Sequence, residues 1–221
     1  MILYHGSDKI ISKPAFGQGN PANDFGRGFY CTESIDMAKE WACKKNTDGF
    51  ANRYELSLKG LTVLNLNDGS YNILNWLALL TKYRGYWQRA SMGEEAKTFL
   101  QNKYLIDLSG FDIVIGYRAD DSYFSFAQDF IMGTISLQKL SEAMRLGKLG
   151  EQIVIKSPKA FSQIKYLDHE NADAKTYYCL KKNRDLKARK SYSEMKNHFS
   201  PDDIYMIDII RGRVSDDDLR I

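Results

Sequence analysis

Short apolar runs in this chain follow one another without the regular strand–helix–strand alternation that a doubly wound parallel sheet requires. Ile2 to His5 reads as a first strand, ended by Gly6-Ser7. A loop from about Lys13 to Gly28 follows, carrying Pro14, Pro21, Gly17, Gly19, Gly26 and Gly28. Loops of that length in a compact domain are disordered or functional. Phe29 to Thr32 is a second short strand, and Ser34 is a good N-cap for a helix with Met37, Ala38, Trp41 and Ala42 at helical spacing.

The rest of the order is equally irregular. Tyr54 to Leu58 and Leu61 to Leu66 read as strands, with Gly60 between them. Tyr71 to Tyr104 is mainly helical, with breaks expected near Gly85 and Gly93. Asp112 to Ile115 is a buried strand ended by Gly116. Ser122 to Ile131 and Leu137 to Leu146 are helices, the second capped by Ser136. Gln152 to Ile155 is a strand, and Ser157-Pro158 starts a short helix through Ile164. The tail past Asn171 is largely helical, and Ser200-Pro201-Asp202-Asp203 reads as one more helix start. The order predicts an α+β fold, with residues 1–170 as one domain and 171–221 as a helical, basic extension packed on it.

A chain of 221 residues can bury a substantial core. A formal charge of +3 is too mild to imply nucleic acid by itself. The charge is uneven, however: Lys181, Lys182, Arg184, Lys187, Arg189 and Lys190 enclose one acid, Asp185. That run reads either as a solvated helix face or as a docking surface for nucleic acid. Cys31, Cys43 and Cys179 form no CxxC pair, and His5, His169 and His198 have no ligand spacing, so no metal is implied. The N-terminus lacks a basic segment followed by an apolar one. No apolar run approaches the ~20 residues of a membrane span. A cytoplasmic protein without a membrane partner is expected.

Three stretches carry candidate chemistry: Leu3-Tyr4-His5-Gly6-Ser7, Asp24-Phe25-Gly26-Arg27-Gly28-Phe29-Tyr30-Cys31-Thr32, and Gly150-Glu151-Gln152-Ile153-Val154-Ile155. Singly, each has an ordinary structural reading. In this order they resemble the three motifs of the ADP-ribosyltransferase superfamily. Phe25-Gly26-Arg27-Gly28-Phe29-Tyr30 is similar to the FGKGIYF stretch of the poly-ADP-ribose polymerase branch, with Arg27 in place of lysine. A closer likeness, through about Leu167, is to the DUF3990 proteins, usually assigned to the same superfamily. Its further landmarks are Trp41-Ala42, Asp112-Ile113-Val114-Ile115-Gly116, Ala119-Asp120-Asp121, and Gln152 with Lys159-Ala160-Phe161.

The resemblance implies two small β-sheets packed at an angle around a cleft for NAD⁺, the co-substrate. It implies cleavage of the nicotinamide–ribose bond and transfer of ADP-ribose to a macromolecular acceptor, protein or nucleic acid. It further suggests a bacterial toxin or effector, with an antitoxin as a partner. In that frame His5 hydrogen-bonds the adenine-side ribose, and Gly6 and Ser7 bring backbone to the nicotinamide amide. Tyr30 stacks on the nicotinamide ring. Gly26 and Gly28 let the chain pass close to the ligand, and Arg27 faces either the pyrophosphate or solvent.

The third position stays open between two residues. The transition state is oxocarbenium-like and benefits from a group that bonds a ribose hydroxyl and offsets positive charge. Glu151 matches the polymerase branch; Gln152 matches the DUF3990 proteins and carries no charge. Side chains alternate along a strand, so only one of them reaches the cleft. Asp120 and Asp121 are a possible acceptor-side base, or else a turn or helix cap. Leu149 and Gly150 exclude the Glu-x-Glu pattern of arginine-modifying relatives. Transfer to water, as an NAD⁺ glycohydrolase, and an NAD⁺- or ADP-ribose-binding module without turnover are the alternatives.

Overall fold

The computed structural model describes residues 1–84, 91–146, 150–215 and 217–219, apart from the side chains of Ser91 and Asp121. It is α+β, with two small sheets. Strands β1 (Ile2–Ser7), β3 (Gly49–Leu56) and β7 (Ile164–Ala172) form an antiparallel sheet in the order β1-β3-β7. Strands β2 (Phe29–Cys31), β4 (Val63–Asn65), β5 (Ile113–Tyr117) and β6 (Glu151–Ile155) form the second, in the order β2-β6-β5-β4. In that sheet β4 and β5 are parallel and the other pairs antiparallel. A bridge between Tyr4 and Thr32, with N···O distances of 2.8 and 2.9 Å, splices the sheets together.

Alternation along the strands makes the four-stranded sheet the middle layer. Cys31, Ile113, Ile153 and Ile155 pack toward Leu3 and Leu56 of the other sheet. Val114 and Val154 face the opposite way, into a helical core. That core is built from α2 (Ile73–Tyr83), α3 (Ser91–Tyr104), α4 (Asp121–Ile131) and α5 (Leu137–Arg145), with Trp76, Leu77, Leu80, Phe126 and Phe130 fully buried. Helix α1 (Ile35–Ala42) lies on β1 and β3, and the short α6 (Pro158–Ser162) precedes β7. Ser34, Ser136 and Ser157 cap α1, α5 and α6 through their side chains, as expected.

The C-terminal residues share this core. Helix α7 (Ala174–Lys196) stacks Tyr192 on Phe126 at 3.9 Å, and α8 (Met206–Ile210) buries Met206 and Ile209 among the same side chains. Among the described residues, no helix is long and apolar enough to cross a membrane.

Several local expectations are corrected. Gly93 does not break a helix: it sits in the first turn of α3, where glycine disturbs few hydrogen bonds. The break expected at Gly85 lies outside the described residues. Gly116 continues β5 instead of ending it, because it pairs with Gln152 in the ladder with β6; a side chain there would collide with Phe25 and Leu66. Strand β3 begins at Gly49 and stops at Leu56, with the polar Asn52 and Arg53 inside it. Residues 164–172 form β7, an edge strand whose largely exposed side chains hid it from the apolar pattern; Ile164 therefore belongs to a strand and not to α6. Ser200 to Asp203 is a turn, because Asp203 accepts from the Ser136 hydroxyl at 2.6 Å and pairs with Lys139 instead of starting a helix.

Candidate functional site

The loop after β1 contains no regular structure up to β2, yet it is tied down along its length. Buried Asn52 accepts from the Ile11 N–H at 2.8 Å and donates to the Lys9 carbonyl at 3.1 Å. The Lys156 ammonium donates to the carbonyls of Phe25 (2.6 Å) and Arg27 (2.9 Å), and burial lowers its pKa to about 8. The Tyr30 hydroxyl donates to the Gly26 carbonyl at 2.6 Å and accepts from the Phe25 N–H at 3.0 Å. Burial pushes that phenol well above its ordinary range, so it is a structural hydrogen bonder and not an acid.

Register decides which candidates meet. Tyr30 opposes Val154 in the β2–β6 pair, so Gln152, two residues earlier, projects from the same face as Tyr30. The two line a cavity of about 170 Å³ with Asn23, Asp24, Trp41 and Asp120. Glu151 points away: it is exposed, and its carboxylate accepts from Asn67 at 2.7 Å. Of the two residues competing for the third position, Gln152 is the one in the cavity.

The hydrogen bonds fix how Gln152 is presented. Its Nε2 donates to Asp24 Oδ2 at 2.7 Å and to the Tyr117 carbonyl at 3.0 Å. Both partners only accept, so the amide nitrogen must face them. The carbonyl end, Oε1, is left as the side chain's uncommitted acceptor among the described residues.

Asp24 in turn is held by the Ala119 N–H at 2.9 Å and by Arg84, whose Nε lies 3.3 Å from Oδ1. Burial raises the pKa of Asp24, and Arg84 with the two N–H donors opposes that shift. Arg118 stacks on Trp41, its guanidinium carbon 3.0 Å from the ring centre, and its Nε donates to Asp120. Burial lowers the pKa of Arg118, and the Asp120 carboxylate opposes the change.

Asp120 is the N-cap residue of α4 by conformation, but its carboxylate serves Arg118 and makes no capping bond. Asp121 opens α4; its side chain is outside the described residues. Sequence reading missed Arg84, Arg118 and the role of Asp24, because each acts across separations no local pattern reports.

His5 does not line this cavity. Its ring stacks on Phe29 at 4.3 Å, and Nδ1 lies 2.7 Å from the Tyr30 carbonyl oxygen. A carbonyl only accepts, so Nδ1 carries the proton and Nε2 keeps its lone pair. Burial holds the ring's pKa below 6.5, with the bond to Tyr30 acting in the opposite sense. Ser7 accepts from the Lys9 N–H through its hydroxyl.

Tyr4 turns its backbone toward Thr32, away from β3. Alternation gives Gly6 the same orientation, so its N–H and C=O face the open edge of β1. Its missing side chain has a further cause: a Cβ would run into the Ala38 carbonyl of α1. Gly26 and Gly28 likewise face protein, since side chains there would strike Tyr83 and Val154. The Arg27 side chain is exposed and does not line the cavity.

The geometry defines an α+β protein with a small polar cavity beside the splice between its two sheets. Among the described residues no group of three His, Cys, Asp or Glu is placed to hold a metal ion. The family described as "Protein of unknown function (DUF3990)" matches residues 1–166 of the 221, and the chain belongs to that family. No curated protein and no solved structure shows significant similarity to it.

Proposed function

We propose that the protein binds NAD⁺ with its nicotinamide end against Tyr30 and Gln152, cleaves the nicotinamide–ribose bond and transfers ADP-ribose to a macromolecular acceptor. The observation that carries this reading is the presentation of Gln152, whose amide nitrogen is consumed by Asp24 and Tyr117 while its carbonyl oxygen stays available beside the Tyr30 ring. An acceptor there suits a ribose hydroxyl, and its partial negative charge suits an oxocarbenium-like transition state. The cavity is comparable with the ~150 Å³ that elsewhere holds a single aromatic ring. His5 and Gly6 lie outside this cavity, and in this reading the lone pair on His5 Nε2 and the open backbone edge of Gly6 serve parts of NAD⁺ that extend beyond it.

One observation favours a second reading, a binding module without turnover. Both cavity carboxylates are matched by cations, Asp24 by Arg84 and Asp120 by Arg118. The local field is therefore less negative than a developing cation requires.

Nicotinamide release from NAD⁺, followed by chromatography with and without lysate as acceptor, separates the two. Release should be lost in Gln152→Ala and Tyr30→Ala, reduced in His5→Ala, and retained in Tyr30→Phe and Glu151→Ala. No release by the wild type, together with NAD⁺ binding by calorimetry, would establish the module instead. Loss confined to Glu151→Ala would overturn the assignment of Gln152.

A further inference from the structure

The basic run at residues 181–190 is not uniformly a solvated face. Lys187, Arg189 and Lys190 are exposed, but Lys181 and Arg184 are partly buried and, with Lys182, border a second cavity of about 360 Å³. Its other walls come from Glu40 of α1, Arg84, and the start of α4. Ala119, Asp120 and Arg84 belong to both cavities, so the second adjoins the Gln152 cavity through a common wall. That volume lies within the ~300–1,000 Å³ typical of small-molecule sites.

Charge matching leaves this cavity positive. Its three carboxylates are already engaged: Glu40 by Arg184, Asp120 by Arg118, and Asp185 by Arg189 at 2.8 Å and by the Ser122 hydroxyl. Arg84 is spoken for by Asp24 and by the Ala119 carbonyl at 2.7 Å. No carboxylate among the described residues lies within ion-pair distance of Lys181 or Lys182. Arg118 Nη1, behind the common wall, is buried without a hydrogen-bond partner. Two tyrosines complete the lining: Tyr178, which is partly exposed, and Tyr123, which is buried with its ring fixed against Phe126.

We infer that the cavity between α1, α4 and α7 is a site for an organic phosphate of nucleotide size, with Lys181 and Lys182 holding the phosphate and the Tyr178 ring taking the ring system. Two lysines match the charge of −1.5 to −2 that a phosphate monoester carries near neutral pH. An aromatic face suits a base, whatever its identity. The site does not depend on NAD⁺ turnover, and half of its wall comes from α7, beyond the residues the family match covers.

The test is calorimetric titration of the full chain with AMP, beside the Lys181→Ala/Lys182→Ala double variant. The expected result is one AMP per chain, with affinity weakened about tenfold or more in the double variant and by added salt. Adenosine should bind far more weakly, and Arg27→Ala should behave as wild type. Among the described residues neither lysine makes a side-chain hydrogen bond or an ion pair, so the double variant should keep its thermal midpoint. A 5′-phosphorylated oligonucleotide compared with its 5′-hydroxyl form tells a strand end from a free nucleotide as the source of the phosphate. Unchanged AMP affinity in the double variant, or no AMP binding at all, would overturn the site. Stoichiometric displacement of AMP by NAD⁺ would overturn its independence. Absence of nicotinamide release, by contrast, bears only on the neighbouring cavity.

Discussion

Asp24 and Gln152, 128 residues apart in sequence, meet at 2.7 Å inside the protein, and the meeting explains why position 152 is an amide. A carboxylate at 24 needs a donor opposite. Gln152→Glu would set two buried carboxylates against each other and remove the donor to Tyr117. It should cost about 3 kcal/mol in chemical denaturation, as other broken buried polar pairs do. Asp24→Asn alone leaves Arg84 short of its partner and should cost a similar amount. When the two substitutions are combined, the amide introduced at position 24 can donate to the carboxylate introduced at position 152. The double-mutant cycle should then show favourable coupling of more than about 1 kcal/mol. Strict additivity would mean that the two side chains do not depend on each other.

Gly6 should resist even the smallest enlargement. Its Cβ would enter the Ala38 carbonyl and the Ala42 amide of α1, and backbone cannot step aside as a side-chain end can. Gly6→Ala should destabilise by about 3 kcal/mol or more. Gly110→Ala, at a glycine with open space around it, should stay within about 0.5 kcal/mol. Equal melting temperatures for the two variants would contradict the packing described at β1.

His5 supplies a pH dependence of known sign. Its pKa is lowered in the folded state, so the unfolded chain takes up the proton first as pH falls below 6.5. The contribution of His5 to stability should be constant above 6.5 and diminish below it. The stability difference between wild type and His5→Gln, measured across that range, should shrink toward acid. A difference that grows toward acid would mean that the folded protein prefers the imidazolium.

Lys156 gives a second window at the alkaline end. Its pKa falls to about 8 in the fold, against 10.5 unfolded. Between those values the unfolded chain holds the extra proton, so wild-type stability should rise with pH relative to Lys156→Met. A flat difference between pH 8 and 10.5 would place the ammonium in better contact with water than the structure does.

Much of this arrangement was legible in the sequence. The hydroxyl caps Ser34, Ser136 and Ser157 announced their helices, and the loop before Phe29 announced itself by its glycines and prolines. That Glu151 and Gln152 point to opposite faces was legible from strand period, but which of them meets Tyr30 was not, and the β2–β6 register decides it. What stayed hidden was non-local. Arg84 and Arg118 acquire meaning only when α2 and β5 bring them to Asp24 and Trp41. Strand β7 was missed because an edge strand open to solvent needs no apolar alternation. Its pairing is carried by backbone and by cross-strand contacts such as Arg53 with Asp168 at 3.3 Å and Phe50 with His169.

The family match stops at residue 166, three residues into β7. A fragment cut there would leave most of β3 as a bare edge, strip Tyr192, Met206 and Ile209 from the helical core, and leave the Glu40 carboxylate buried without Arg184. Homology marks one length of this polypeptide and cooperative folding requires a longer one. An expression fragment trimmed to the recognisable part exposes a strand edge and core side chains at once, the two features that favour aggregation.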